Sequence, residues 1–208
     1  MAEIDAKLVM QLRAETGAAM MDCKAALIEA GGDKEKAKDG LRRKGKQIAD
    51  KKADRETKAG SVCHYIHMGG KIGVLVELKC ETDFVAKNDD FQALGRAIAM
   101  HIAAKRPGPI ALTRDKVPTD VVEREAAVYR ESDQLKGKPA NMVEKILEGK
   151  MDAFYKERCL LDQEYMGPPI SGAEVPPKTT VKDLLTTATG KMGENIQIGR
   201  FNRIELGE

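Results

Sequence analysis

The stretch GLRRKGKQ at 40–47 satisfies the spacing G-x-x-x-x-G-K of a phosphate-binding loop, but Gln47 stands where such a loop needs a Ser or Thr for the metal ion. A phosphate loop also follows a buried strand and opens a helix. This stretch ends a helical segment and enters a basic run, and no NKxD-type base reader occurs, so the chain is not expected to bind nucleotide itself. CHYIH at 63–67 holds three metal-capable side chains. Strand side chains alternate between faces, so Cys63 and His67 share one face and His64 takes the other, and a closed zinc site would need more ligands from elsewhere. They read as sheet-face residues. His101 stands alone on an apolar helical stretch, with no Ser, Cys or carboxylate at a motif spacing, and reads as a packing or interface residue. Asp89-Asp90 opens a helix, where negative charge complements the macrodipole. No catalytic residue, metal ligand or cofactor site is expected. A metal- or thiol-dependent enzyme using Cys80 and His64 is the enzymatic reading set against this, and it requires a bound metal.

One stretch resists such disposal. CETDFVAKNDDF, residues 80–91, sets Phe84 among Glu81, Asp83, Asp89 and Asp90 in a chain with four Phe and no Trp. An aromatic flanked by charge, between a strand end and a helix start, fits an anchor for a partner's pocket. Folding back under its own loop is an equal alternative on the residues alone.

The elements that must hold this stretch are legible from periodicity. Within residues 3–44, Ile4, Leu8 and Leu12 recur at helical spacing. Met20, Cys23 and Leu27, with Met21, Ala25 and Ile28, give a second helix. Gly31-Gly32 stops it, and Asp33 caps a third through Ala37 and Leu41. Residues 44–60 are almost devoid of apolar side chains and read as a charged helical linker. SVCHYIHM and KIGVLVEL flank Gly69-Gly70, a two-residue hairpin signal, and Ile72, Val74, Val76 and Leu78 alternate. A helix follows from about Asp89 to Lys105, with Phe91, Leu94, Ile98 and Ile102 on one stripe. Val121, Val128 and Leu135 lie at heptad spacing, and Met142, Ile146 and Ala153 mark the second arm of a helical hairpin. Val181, Leu184, Leu185 and Ala188 form a last helix before the closing strand ENIQIGRFNRIEL. The expected fold class is α+β: three N-terminal helices, then a small three-stranded antiparallel sheet packed with helices.

Composition narrows the function classes. With 35 basic and 33 acidic residues the net charge is +2, which speaks against a protein living on nucleic acid or an anionic membrane. No apolar run approaches the ~18–20 residues that span a bilayer. The opening MAEIDAKLVMQLRAETG has no uninterrupted apolar segment and carries Glu3 and Asp5, so it reads neither as a secretory signal nor as a transit peptide. Cys23, Cys63, Cys80 and Cys159 form no CxxC pair, and reduced thiols in the cytoplasm are expected.

ELKCETDFVAK (77–87) and LRAETGAAMMDCKAAL (12–27) resemble the two signatures of the elongation factor Ts family. The likeness continues in order through the hairpin, IAMHIAAKRP (98–107), GKPANMVEKILEGKM (137–151), the CLLDQ stretch and the terminal strand. Departures are Ala19 for a usual Gly, Lys79 for a common Asn, and Glu164-Tyr165 for a common Pro-aromatic pair. The resemblance implies guanine-nucleotide exchange on elongation factor Tu, bound both with GDP and nucleotide-free, without catalytic residues or a cofactor. It implies a ubiquitin-associated-like three-helix domain at 1–44, a linker at 45–60 and an exchange and dimerisation core at 61–208. The chain resembles a short form with one core unit, for which pairing as a homodimer is implied. The positions matching the family's contacts are Arg13, Met20, Met21 and Lys24 in the first domain, and Thr82, Asp83, Phe84, Val85, Lys87, Met100 and His101 in the core. Adjacent methionines cannot both face one small core, so at least one of Met20 and Met21 is expected on the surface. A ubiquitin-associated-type adaptor acting through residues 3–44 is the competing reading.

Overall fold

The structure is a computed structural model that describes residues 4–207 apart from 68, 133 and 134. Three antiparallel strands form one sheet in the order β1-β2-β3: β1 (Ala59–Ile66), β2 (Ile72–Cys80) and β3 (Gln197–Glu205). The alternation in β2 is realised as a buried face of Ile72, Val74, Val76, Leu78 and Cys80. β1 pairs with Cys63 opposite Val76, and β3 pairs with Phe201 opposite Val76, with a register shift between Val76 and Leu78. The hairpin is wider than two residues. The last inter-strand bond runs from His67 N–H to Ile72 O, and Gly70 N–H donates to His67 O, with φ of 85° and 69° at Gly69 and Gly70. Met68, read as the end of the first strand, lies outside the described residues, as does Glu3.

Among the described residues, five helices besides a short turn form the N-terminal helical group and cover the sheet. α1 (Ala6–Thr16), α2 (Met20–Glu29) and α3 (Lys34–Lys52) come first, and Val9, Leu12, Cys23, Ala26, Leu27 and Ala37 form their common core. α3 does not stop near Leu41. It runs unbroken to Lys52, so GLRRKGKQ lies inside a continuous helix, with no loop to cradle a phosphate. Its later half packs on α8 (Val181–Met192) closely enough that a Cβ on Gly190 would sit 2.9 Å from Gly45 Cα. After β2 comes α4 (Asp83–Ala86), then α5 (Asp89–Ala104). Phe91, Leu94, Ile98 and Ile102 of α5 meet β2 in the main core, joined by Val181, Leu184, Leu185 and Ala188 of α8.

A smaller apolar cluster lies under α6 (Thr119–Arg130) and α7 (Ala140–Arg158). The heptad reading holds only in part, with Leu135 buried and Val121 packed against the cluster. Val128, Met142 and Ala153 are exposed, while Phe154 is buried with Val117 and Cys159, and Val121, Val122, Tyr129 and Met151 pack alongside. The packed positions fall a residue away from the ideal stripe, at Tyr129 rather than Val128 and at Phe154 rather than Ala153. Among the described residues, no helix is long and apolar enough to cross a membrane.

Helix and sheet come into close approach at Gly95 of α5. A Cβ there would run into Cys63 Sγ and lie 2.9 Å from Cys63 Cβ. Gly95→Ala is expected to destabilise the fold by about 1–3 kcal/mol in urea unfolding, and Cys63→Ala in the same chain to recover part of that loss. Wild-type stability for Gly95→Ala alone would contradict this packing.

Candidate functional site

The residues from Glu81 to Asn88 join the central strand to the helix that covers it, so both ends of the connection are fixed by the core. Cys80, fully buried, donates from Sγ to Thr82 O at 3.2 Å. Thr82 is the N-cap of α4: its hydroxyl oxygen accepts from Val85 N–H at 3.4 Å, and its carbonyl accepts from Ala86 N–H at 3.1 Å. Asn88 N–H closes the turn onto Val85 O at 3.0 Å. The Asn88 side chain then caps α5 by accepting from Asp90 N–H at 2.8 Å. Gln92 Nε2 donates to Ala86 O and to Ser61 Oγ, both at 2.7 Å, tying the turn to β1. The stretch is therefore a helical turn and not the loop its polar composition suggests.

The turn decides where Phe84 points. Successive residues on a helix diverge by about 100°, so when Val85 and Ala86 both face the core, Phe84 is driven to the opposite side. Val85 and Ala86 are buried, and Phe84 is 84% exposed. Folding back under its own segment is excluded in this conformation. Leaving a Phe in water forgoes about 1.5–3 kcal/mol of burial, which a second surface can recover. Thr82, Asp83 and Lys87 are exposed beside it.

Two carboxylates brace the turn from below. Glu194 Oε2 accepts from Glu81 N–H at 3.1 Å and Thr82 N–H at 3.0 Å, and its Oε1 accepts from the Thr82 hydroxyl at 2.6 Å. Glu81 answers by accepting from Asn195 N–H at 2.7 Å and pairing with Arg55 at 3.4 Å. The Asn195 N–H and the Arg55 guanidinium together hold the Glu81 carboxyl below its ordinary range. Asn195 Nδ2 donates to Ala53 O and Arg55 O, and Lys52 Nζ donates to Gly193 O, so the end of α3 joins the same knot. Sequence reasoning missed Glu194 and Asn195, which it placed in the closing strand. The contact spans 112 residues, and nothing local in either segment announces it.

The other expected positions fall in different places. Arg13, Met20, Met21 and Lys24 are all exposed on α1 and α2, with Met21 at 72% and Met20 at 39%, so both methionines reach the surface. Met100 is half-buried on α5, about 16 Å along the helix axis from Asp89 at 1.5 Å per residue, and so apart from the Phe84 turn.

His101 is not on the surface, and its expected role as a contact is corrected. It is fully buried, stacked on Tyr165 at 5.6 Å between ring centroids. Nδ1 accepts from Met166 N–H at 2.9 Å, and Nε2–H donates to Gln163 Oε1 at 3.0 Å, which selects one neutral tautomer. It fastens the segment after α7 to α5. Cys63 is buried on the inner sheet face, whereas His64 and His67 are exposed, and His67 lies beyond the end of β1. Cys23, Cys63, Cys80 and Cys159 are buried, and burial pushes each thiol up from its ordinary range.

Comparison with known proteins bears on the whole of this architecture. Residues 6–171 match the protein family described as Elongation factor TS. The chain is 52% identical over 206 residues to Elongation factor Ts of Fervidobacterium nodosum, covering 99% of this chain and 100% of that one. It is 51% identical over 208 residues to the protein of the same name in Desulfosudis oleivorans, covering all of both. For the one in Carboxydothermus hydrogenoformans the identity is 52% over 205 residues, covering 99% of this chain and 90% of that one.

Burial of His101 lowers its pKa from 6.5 to about 4. Protonating Nδ1 would also set it against the Met166 N–H. The folded pKa is the depressed one, so this stabilisation is complete above pH 6.5 and is lost as pH falls toward 4. Between pH 7 and 4.5 the stability advantage of the parent over His101→Gln is expected to shrink by about 2–3 kcal/mol in urea titrations. A gap independent of pH would contradict a neutral, buried imidazole.

Proposed function

The chain belongs to the elongation factor Ts family, whose name is that of a translation elongation factor, and on that premise we propose that it is a guanine-nucleotide exchange factor for elongation factor Tu. The observation that carries the reading is Phe84, held 84% exposed by a turn whose Val85 and Ala86 are buried. In this reading residues 1–44 form the ubiquitin-associated-like module, 45–60 the charged linker, and 61–208 the exchange core. A likeness that covers the full chain favours this reading over the adaptor reading of 3–44, which leaves residues 61–208 as scaffold.

An exchange factor must bind the nucleotide-free partner better than the nucleotide-bound one, and by linkage each ligand then weakens the other by the same factor. Each tenfold gain in release lowers the barrier by about 1.4 kcal/mol. Phe84 acts as a wedge that enters between helices of the GTPase domain and displaces the segment holding Mg²⁺ and the phosphates. Asp83 steadies it by accepting hydrogen bonds from the partner, Lys87 pairs with partner acids, and Thr82 and buried Val85 shape the turn. Arg13, Met20, Met21 and Lys24 rest on the partner's GTPase domain, and the two exposed methionines supply soft apolar contact. Met100 lines a separate part of the interface, with His101 supporting it from inside. GTP then replaces GDP and ejects the factor. The chain performs no chemical step, and as a translation factor it works in the cytoplasm.

The same reading includes a homodimer. Its support is the outer face of the sheet, where Val62, Ile66, Leu75 and Ile204 are exposed on three adjacent strands with Ile66 and Ile204 flanking Gly73. A patch of this kind on a monomer marks an interaction surface. A second sheet laid on it would bury all four side chains. Sedimentation is expected to give twice the chain mass, and Leu75→Lys to give the single mass with circular dichroism unchanged. A wild-type monomer at micromolar concentration would remove this part of the reading.

Release of a fluorescent GDP analogue from elongation factor Tu tests the wedge. Phe84→Ala is expected to slow stimulated release by about tenfold or more, and Lys87→Ala by less, because a buried aromatic anchor outweighs a rim charge. Full stimulation by Phe84→Ala would sink the wedge.

A further inference from the structure

An exposed aromatic works as a wedge only if the backbone beneath it does not yield, and the turn carrying Phe84 is short. Within α4 itself, its N-terminal bracing is one backbone bond, Ala86 N–H to Thr82 O at 3.1 Å, and one side-chain cap at 3.4 Å, long for a strong hydrogen bond. The stronger bracing comes from elsewhere in the chain. One carboxylate, Glu194, takes the two backbone N–H groups that precede the turn and the hydroxyl of its N-cap residue. Its oxygens thereby fix both the direction in which the chain leaves β2 and the rotamer of Thr82. Glu194 is itself held, because it sits between Gly193, which caps α8 in the left-handed conformation, and Asn195, which is buried and bonded to Glu81, Ala53 and Arg55.

We infer that Glu194 is a positioning residue for exchange, clamping the Glu81–Thr82 backbone so that Phe84 projects in the orientation the partner requires. This rests on the exchange reading above. Glu194 acts through Phe84, by denying the turn the freedom to swing when the aromatic meets resistance. The geometry also fixes which substitution is tolerated. Oε2 must accept from two backbone N–H groups, but Oε1 faces a hydroxyl, which can donate or accept. A glutamine can keep its oxygen at the first place and donate from its amide at the second. An alanine leaves all three donors to water.

The test compares Phe84→Ala, Glu194→Ala, Glu194→Gln and the double alanine variant in the full chain, using release of the fluorescent GDP analogue from elongation factor Tu. Glu194→Ala is expected to lower the maximal stimulated rate by about fivefold or more. The concentration giving half the effect should change less, because the contacts of Arg13, Met20, Met21 and Lys24 remain. The double variant should be slower than Phe84→Ala alone by about twofold, clearly less than the loss Glu194→Ala causes by itself, since with Phe84 gone the clamp has only the weaker contacts of Asp83 and Lys87 left to position. Glu194→Gln should stay within about threefold of the parent. Without any partner, amide hydrogen exchange at Glu81 and Thr82 should quicken in Glu194→Ala while the chain stays folded, its melting temperature lower by about a few degrees. A full rate for Glu194→Ala beside a slow Phe84→Ala overturns the clamp, as do additive losses in the double variant, a Gln variant as slow as Ala, or unchanged amide protection. A full rate for Phe84→Ala itself strikes the wedge reading instead, and the amide exchange result then still decides whether Glu194 holds the turn.

Discussion

The packing of β2 against α5 is the contact on which the rest of the molecule depends. Val74, Val76, Leu78 and Cys80 on one side meet Phe91, Leu94, Ile98 and Ile102 on the other, all buried in one core. β2 is the middle strand, so it cannot shift without breaking both ladders. The approach is close because Gly95 lets the helix lie against Cys63. With strand and helix fixed, the residues between Cys80 and Asp89 have little choice of path. They close it with one helical turn, and that turn throws Phe84 outward.

The exposed phenylalanine makes sense only beside that rigidity. A flexible loop would bury its aromatic against the nearest apolar surface, because the gain of about 1.5–3 kcal/mol is large beside the cost of ordering a few residues. Here the backbone is committed by Thr82, Asn88 and Gln92 from within, and by Glu194 from across the chain. Phe84 therefore stays in water until another surface is presented. The acidic residues around it have structural tasks. Asp89 and Asp90 sit in the first turn of α5, where Asp90 also pairs with Lys191 at 2.8 Å, and Glu81 caps the Asn195 backbone.

The N-terminal helices reach the core through α3. Its long run past Leu41 brings Gly45 against Gly190 of α8, and its end enters the same knot of Glu81, Glu194 and Asn195 that braces the turn. The two apolar clusters thus share one bridging helix. A charged stretch that looks like a mere spacer is helical through Lys52 and packed along part of its length.

The sequence by itself determined the elements and their order. Strict alternation in β2, the Asp33 cap and the spacing of Phe91, Leu94, Ile98 and Ile102 are local signals, and local signals survive without knowledge of the fold. It also isolated Phe84 as an aromatic out of place. Direction was beyond it. That Phe84 faces solvent, that His101 faces the core, and that Val128 leaves its heptad depend on which side of each helix meets a neighbour, and neighbours distant in sequence are decided by packing. The Glu194 clamp lies furthest from reach. Its carboxylate and the backbone it holds are 112 residues apart, and only the pairing of β3 along β2 brings them together.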